Sequence, residues 1–290
     1  MSAAPLPEIL SGPPLTAVGV AVVRAAETRR PDRLYADPLA QAFVDAAERA
    51  HLAPTAPPGA AETWAGVLAL AEAMRATRTL GVRLADDGLL AAAEAGCTQA
   101  VLLGAGLDTH AFRLEWPVPV HVFEADLPQL FAFKEPVLAA QGAEPVCARS
   151  VVPVDLRAED WPGALLDAGF RPELPTAWVD QVIATTLPRD EARRAVRRLT
   201  ALSAPGSRYG YPVLPPGSFA RTVRAVPGAE RVFPVPEGDP GSRGLGAGDR
   251  AWLEGLGWST AFREISDLTA GYGREVPASP GAGMVAAVRL

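Results

Sequence analysis

Two apolar runs joined by a glycine turn, within residues 100–126 (AVLLGAGLDTHAFRLEWPVPVHVFEAD), dictate the architecture of this chain. The first run, 100–103, breaks at Gly104-Ala105-Gly106; the second, 118–123, ends in Glu124-Ala125-Asp126. Both runs are short and bounded by glycine or proline, so both read as buried strands. Glycines after the first strand let a ligand approach the backbone, because they lack a Cβ and accept positive φ. An acid ending the next strand is placed to accept hydrogen bonds from ribose hydroxyls, as in nucleoside-binding βαβ units. A plain βα turn with a solvated strand end is the alternative these residues leave open.

Strands and helices alternate from there on. Helical patterns at 127–140, 161–169, 188–203 and 250–255 separate strand patterns at 146–154, 177–183, 207–213, 258–265 and 283–289. Such alternation argues for a largely parallel sheet covered by helices on both faces. Leu127, Leu130, Phe131 and Leu138 are expected to point inward, and Asp126 with Gln129 reads as a capping box. Segment 215–248 is rich in glycine and proline and reads as a lid-like excursion. Ahead of the first strand lies a helical preface. A tail at 1–14 precedes a helix at 15–30, with Val18, Val22 and Ala25 on one face. A second helix starts at Asp37-Pro38, with Asp37 as N-cap. After a loop at 54–59, residues 60–96 are helical. They carry a stripe of Trp64, Val67, Leu68 and Ala71, with breaks at Gly81 and Asp86-Asp87-Gly88. The division expected is 1–96 for tail and helical cap and 97–290 for the sheet domain.

The formal net charge of −6 gives no field that attracts nucleic acid or an anionic membrane. Two cysteines, Cys97 and Cys147, do not make a disulfide framework. With no signal-peptide pattern and no apolar run of spanning length, a cytoplasmic setting is expected. No Gly-x-Ser-x-Gly, P-loop or metal-ligand cluster stands out, and no metal is expected. Arg193, Arg194, Arg197 and Arg198 read as a solvated helix face.

The same stretch resembles motif I and the acidic motif of S-adenosylmethionine-dependent methyltransferases. It is most similar to the leucine carboxyl methyltransferase-like family, which includes bacterial polyketide O-methyltransferases. LLGAGLDT followed by FEAD carries the resemblance, with TAVGVAVVRAAETRRPDRLYADPLAQAFV (16–44), RATRT (75–79), VPVDLR (152–157), LTALSAPGSR (199–208) and LEGLGW (253–258). It implies a doubly wound, Rossmann-like, seven-stranded and mostly parallel sheet with its last strand antiparallel, under an N-terminal helical cap. It implies S-adenosylmethionine as cofactor. Arg24 and Arg78 match the positions that serve the cofactor's carboxylate. Gly104, Gly106 and Asp108 match the glycine motif. Glu124 and Asp126 match the acidic strand end, and Asp155 with Leu156 the pair flanking adenine. If Asp126 is occupied as a helix cap, Glu124 is the acid left free for ribose.

The chain departs from the family at 178–187. Gln181 stands where the family has a glutamate near the cofactor's amino group, and Thr186 where it often has tyrosine. A neutral amide makes a weaker bond to an ammonium than a carboxylate does. His110 replaces an arginine common after LDT. A base for an alcohol or phenol acceptor is sought among His110, His121, Tyr209 and Tyr211, with His110 and Tyr211 carried as the catalytic candidates. The expected activity is methylation of a carboxyl or hydroxyl oxygen on a small natural-product-like molecule, by a monomer or homodimer. A cyclase or pericyclase on the same fold, and a non-enzymatic binding protein, stay open.

Overall fold

The computed structural model describes residues 13–233, 235, 243–274 and 280–290. The tail at 1–12 and part of the 215–248 excursion lie outside them. The chain begins with α1 (Pro13–Thr28), α2 (Ala40–Leu52) and α3 (Ala60–Glu94). The sheet region follows as β1 (Gln99–Leu103), α4 (His110–Arg113), β2 (His121–Asp126), α5 (Pro128–Ala140), β3 (Ala148–Pro153) and α6 (Trp161–Asp167). It continues with β4 (Thr176–Asp180), α7 (Ile183–Thr186), α8 (Arg189–Ala201), β5 (Arg208–Val213), α9 (Ser218–Ala225) and α10 (Ala229–Val232). The chain closes with α11 (Arg250–Glu254), β6 (Trp258–Glu264), α12 (Ile265–Thr269) and β7 (Gly283–Arg289).

The described residues form one seven-stranded sheet in the order β3-β2-β1-β4-β5-β7-β6. β1 to β5 pair in parallel, and β7 runs antiparallel to both β5 and β6. This is the doubly wound α/β fold expected from the sequence. Its strand order reverses between β1 and β4, which is where such sheets bind ligands, beyond the carboxyl ends of the strands.

Side chains alternate across the sheet with period two. Val101, Leu103, Phe123, Ala125 and Trp178 enter one core with Trp161 of α6 and Ala192, Val196 and Leu199 of α8. Ala100, Leu102, Val122 and Ala177 enter the other, against Leu89, Ala92 and Ala93 of α3. A third core belongs to the cap: Val18 and Ala21 of α1, Phe43 and Ala47 of α2, and Trp64, Val67 and Leu70 of α3. α3 thus serves two cores, the cap at its start and the sheet at its end.

Four local expectations are corrected. α3 is one unbroken helix through Gly81 and Asp86-Asp87-Gly88. A helical glycine costs only about 1 kcal/mol. Asp86 is anchored by tertiary partners, His110 and Arg113, and Asp87 by Tyr272 together with Arg83 one turn back on the same helix. The buried stripe of α3 takes in Leu70, while Leu68 points outward. β2 starts at His121, so Val118 lies outside it and is exposed. The capping box does not form: α5 starts after Leu127 with no side-chain cap, and Gln129 is exposed. Asp37 keeps a capping role of a kind, since its Oδ1 accepts from the N–H of Leu39 and Ala40, each at 3.2 Å, where α2 begins.

The excursion after β5 is partly structured. Val223 of α9 and Ala229 and Val232 of α10 are buried in the cap core. The returning chain is pinned at Gly244 N–H to Leu187 O, 2.8 Å, and at Leu245 N–H to Ala184 O, 2.9 Å. Among the described residues no helix is long and apolar enough to cross a membrane.

Candidate cofactor site

The turn after β1 is built by its glycines. Gly104 has φ +78° and Gly106 φ +54°, the left-handed region where a side chain is strained. The N–H groups of Gly104 and Ala105 both donate to Ala125 O, at 2.9 and 3.2 Å, which folds the turn over the end of β2. Asp126 then turns its carboxylate into the loop. Oδ2 accepts from Gly106 N–H and Oδ1 from Leu127 N–H, both at 2.7 Å. Burial raises the Asp126 pKa against those two donors.

A Cβ on Gly104 would lie 2.1 Å from Val182 Cγ2, at the end of β4. The glycine is therefore needed where β1 meets the turn after β4, and not only for the close approach of a ligand. Gly104→Ala is expected to destabilise the fold by about 2–4 kcal/mol, from left-handed strain and overpacking. Val182→Ala in the same chain should recover part of that, as a double-mutant cycle by urea denaturation would read. Purely additive losses would show that Val182 is not the obstacle.

Asp108, two residues past Gly106, is nearly buried. Its Oδ1 accepts from His110 N–H at 2.7 Å, and His110 Nδ1 lies 2.6 Å from its Oδ2. Burial pushes the carboxyl up, but the His110 charge and, further off, Lys134 and Arg24 win, and its pKa falls well below the carboxylate range. The other ring nitrogen of His110 meets Asp86 Oδ1 of α3 at 2.8 Å, and Arg113 forks onto the same carboxylate at 2.6 and 2.8 Å. From α1, Arg24 reaches the loop as well. It donates to Leu107 O at 2.5 Å, Thr109 Oγ1 at 3.3 Å and Asp37 Oδ2 at 2.8 Å. Arg24 is only 3% exposed, so the structure gives it a role in holding the loop rather than an open guanidinium.

Glu124 reverses the expected division of labour between the two acids. It is fully buried on β2, and its Oε2 receives both Lys134 Nζ and Arg149 Nη2 at 2.7 Å. Asp126 is the acid at the loop, and Glu124 is an internal anion. The other expected positions scatter. Gln181 is exposed beside the loop, its backbone N–H on Leu103 O at 3.0 Å and its Nε2 at 3.4 Å from Asp108 Oδ2. Asp155 is half-buried and paired with Arg157 at 2.6 Å, while Leu156 lies in the core. Arg78 makes no ion pair or hydrogen bond among the described residues. Its side chain is exposed on α3, a cation with no charged partner among them.

Neither catalytic candidate is free to act as a base. Both nitrogens of His110 are taken, and Tyr211 is fully buried, with burial raising its pKa. The other candidates fare alike. His121 bonds Ser150 Oγ at 2.9 Å at the start of β2, and Tyr209 donates to Asp180 Oδ2 at 2.8 Å. Asp180 also accepts three N–H groups of the β4–α7 turn, and burial brings its pKa up to about 6. Asp86, Arg113, Asp37 and Lys134 were missed by sequence reasoning. Lys134 offered a signal, being the chain's one lysine inside an apolar run, FAFKEPV. A buried ammonium demands a buried anion. Two surface hollows, one near Asp37, Phe112 and Arg113 and one near Trp116, His121 and Cys147, are lined by no residue of the glycine turn.

A doubly wound sheet of this order, with a positive-φ glycine turn after β1 and an acid closing β2, defines the class of nucleoside-binding methyltransferase folds. The family model described as leucine carboxyl methyltransferase matches residues 17–200. The chain belongs to that family, one of S-adenosylmethionine-dependent methyltransferases. A relative from Parafrankia sp. (strain EAN1pec), named as an S-adenosyl-L-methionine-dependent methyltransferase, is 46% identical over 255 residues, covering 88% of this chain and 78% of its own. A likewise named protein of Frankia alni is 40% identical over 271 residues, covering 91% and 88%. Among solved structures, a DUF574-family protein from Streptomyces avermitilis aligns over 93% of this chain and 97% of its own, at 19% identity and a TM-score of 0.48.

Proposed function

We propose that the protein transfers a methyl group from S-adenosylmethionine to an oxygen of a small natural-product-like substrate, and that a carboxylate is the favoured acceptor. The observation that carries the choice of acceptor is the commitment of every ordinary base. His51 is buried with Nδ1 on Ala47 O, His110 is held by two aspartates, and His121 sits at the far end of β2. Lys134 is sealed against Glu124, and Tyr35, Tyr209 and Tyr211 are buried. Tyr272 donates to Asp87. A carboxylate is ionised at neutral pH and needs no base, whereas an alcohol or phenol benefits from one.

The residues at the loop fit the cofactor. Asp126 is the acceptor for ribose hydroxyls, Asp108 and Gln181 face its amino group, and Arg78 is the open cation for its carboxylate. When bound, S-adenosylmethionine supplies an electrophilic methyl carbon on a sulfonium. The protein's part is then to align the acceptor and exclude water. Incubation with the cofactor and a panel of small carboxylic acids and phenols tests the reading. Base-labile methyl esters are the expected products; base-stable ethers alone would overturn the preference for carboxylates.

Gln181 gives a second test. Gln181→Glu would set a carboxylate beside Asp108, with the cofactor's ammonium between them. Binding of S-adenosylmethionine is expected to tighten up to about tenfold, because a charged hydrogen bond is worth ~1.5–3 kcal/mol against ~1 for a neutral one. Without ligand the same change should lower stability, since two like charges face each other. Weaker binding by calorimetry would show that the ammonium lies elsewhere.

A further inference from the structure

We propose that His110 is a positioning residue for the cofactor: an imidazolium that ties the helical cap to the glycine loop through Asp86 and Asp108. The proposal rests on the reading that the glycine loop seats the cofactor. A neutral imidazole carries one N–H. Here both ring nitrogens face carboxylate oxygens, Nδ1 at 2.6 Å from Asp108 and Nε2 at 2.8 Å from Asp86. Only the doubly protonated ring donates to both. The ring is 3% exposed, so no bulk water takes over a lost contact.

The groups around it favour the cation. Asp108 faces it from the loop and Asp86 from α3. Arg113, on its own short helix, opposes but is itself forked onto Asp86. Beyond Asp108 stand Arg24 of α1, neutralised by Asp37, and Lys134 of α5, neutralised by Glu124. Burial pulls the His110 pKa down, and the two aspartates outweigh it, so the pKa stands above its ordinary value. The bridge is therefore complete below pH ~6.5 and is lost as pH rises through the higher folded value.

The two aspartates do not lose equally. Without the imidazolium, Asp86 keeps both arms of Arg113. Asp108 keeps only the His110 backbone N–H and the long contact from Gln181. The one N–H left on the neutral ring therefore stays with Asp108, Nε2 turns a lone pair toward Asp86, and the loop loses its tie to α3.

The test measures S-adenosylhomocysteine affinity by calorimetry at pH 6.5 and 9.5 in the wild type, His110→Arg and His110→Gln, with Asp126→Asn as the control for the seat. The ligand's own amine titrates alike in all of them. His110→Arg, a cation that does not titrate in this range, should hold affinity within threefold at pH 6.5. It should also lose at least tenfold less than the wild type on going to pH 9.5. His110→Gln should bind at least tenfold more weakly at pH 6.5. Equal pH slopes in the wild type and His110→Arg, or wild-type affinity in His110→Gln, would overturn the proposal. If Asp126→Asn binds like the wild type, the seat itself is wrong; if it alone weakens binding, only the role of His110 fails. NMR of the imidazole carbons in the unaltered protein needs no variant to fold. The chain has three histidines, and His110 must be the cation at pH 7.5; a neutral His110 ends the proposal.

Discussion

Asp126→Ala is expected to weaken S-adenosylhomocysteine binding by about a hundredfold and to leave the sheet intact. Two losses combine. The ribose hydroxyls lose a charged acceptor, worth ~1.5–3 kcal/mol, or roughly ten- to a hundredfold. The loop also loses its clasp, because Gly106 N–H now finds no Oδ2 at 2.7 Å. Asp126 is half-buried at the end of its strand, so its removal should cost no more than about 1–2 kcal/mol of stability. Asp126→Asn should fall between, since its amide oxygen still accepts one bond. Full affinity in the alanine variant, with native circular dichroism, would remove this carboxylate from the site.

Glu124→Ala should act on the fold instead. It would leave the fully buried Lys134 ammonium without its partner and Arg149 with only Glu135. Breaking a buried pair from one side costs about 3–5 kcal/mol. In a chain of this size that lowers the melting temperature by roughly 10 °C. Replacing both partners, Glu124→Leu with Lys134→Met, should recover most of the loss, because no isolated charge remains. A urea midpoint in Glu124→Ala within about 1 kcal/mol of the wild type would show that the ammonium finds another anion.

What could be read from residues alone follows the range of the forces involved. The strands were legible because β1, β2 and β4 are almost wholly buried and each carries a short apolar run, at 100–103, 122–123 and 177–179. The glycine turn was legible because positive φ selects one residue type. The assignment of the two acids was not. Glu124 and Asp126 lie on the same face of β2, and only the arrival of Lys134 from α5 and Arg149 from β3 decides which is buried. The unbroken α3 was hidden for a similar reason. Asp86-Asp87-Gly88 is a helix breaker by local preference, and partners from α4 and from Tyr272 overrule it. His110 was found as an odd residue after LDT, but its two partners come from segments 24 and 2 residues away, and no periodicity links the three.

The continuity of α3 sets a rule for how this sequence can drift. Trp64 is fixed in the cap, while Asp86 and Leu89 are fixed at the sheet, all on one rod. At 3.6 residues per turn, one residue inserted or deleted between positions 64 and 86 rotates one end against the other by about 100°. Either Trp64 would leave its core or Asp86 would turn away from His110. A shift of a whole turn restores the facing but slides the ends by about 5 Å. The count of residues along that span is thus as much a determinant of the site as the residues in it. Changes of length are expected to be tolerated instead at places such as 53–59, where the chain turns outside any helix.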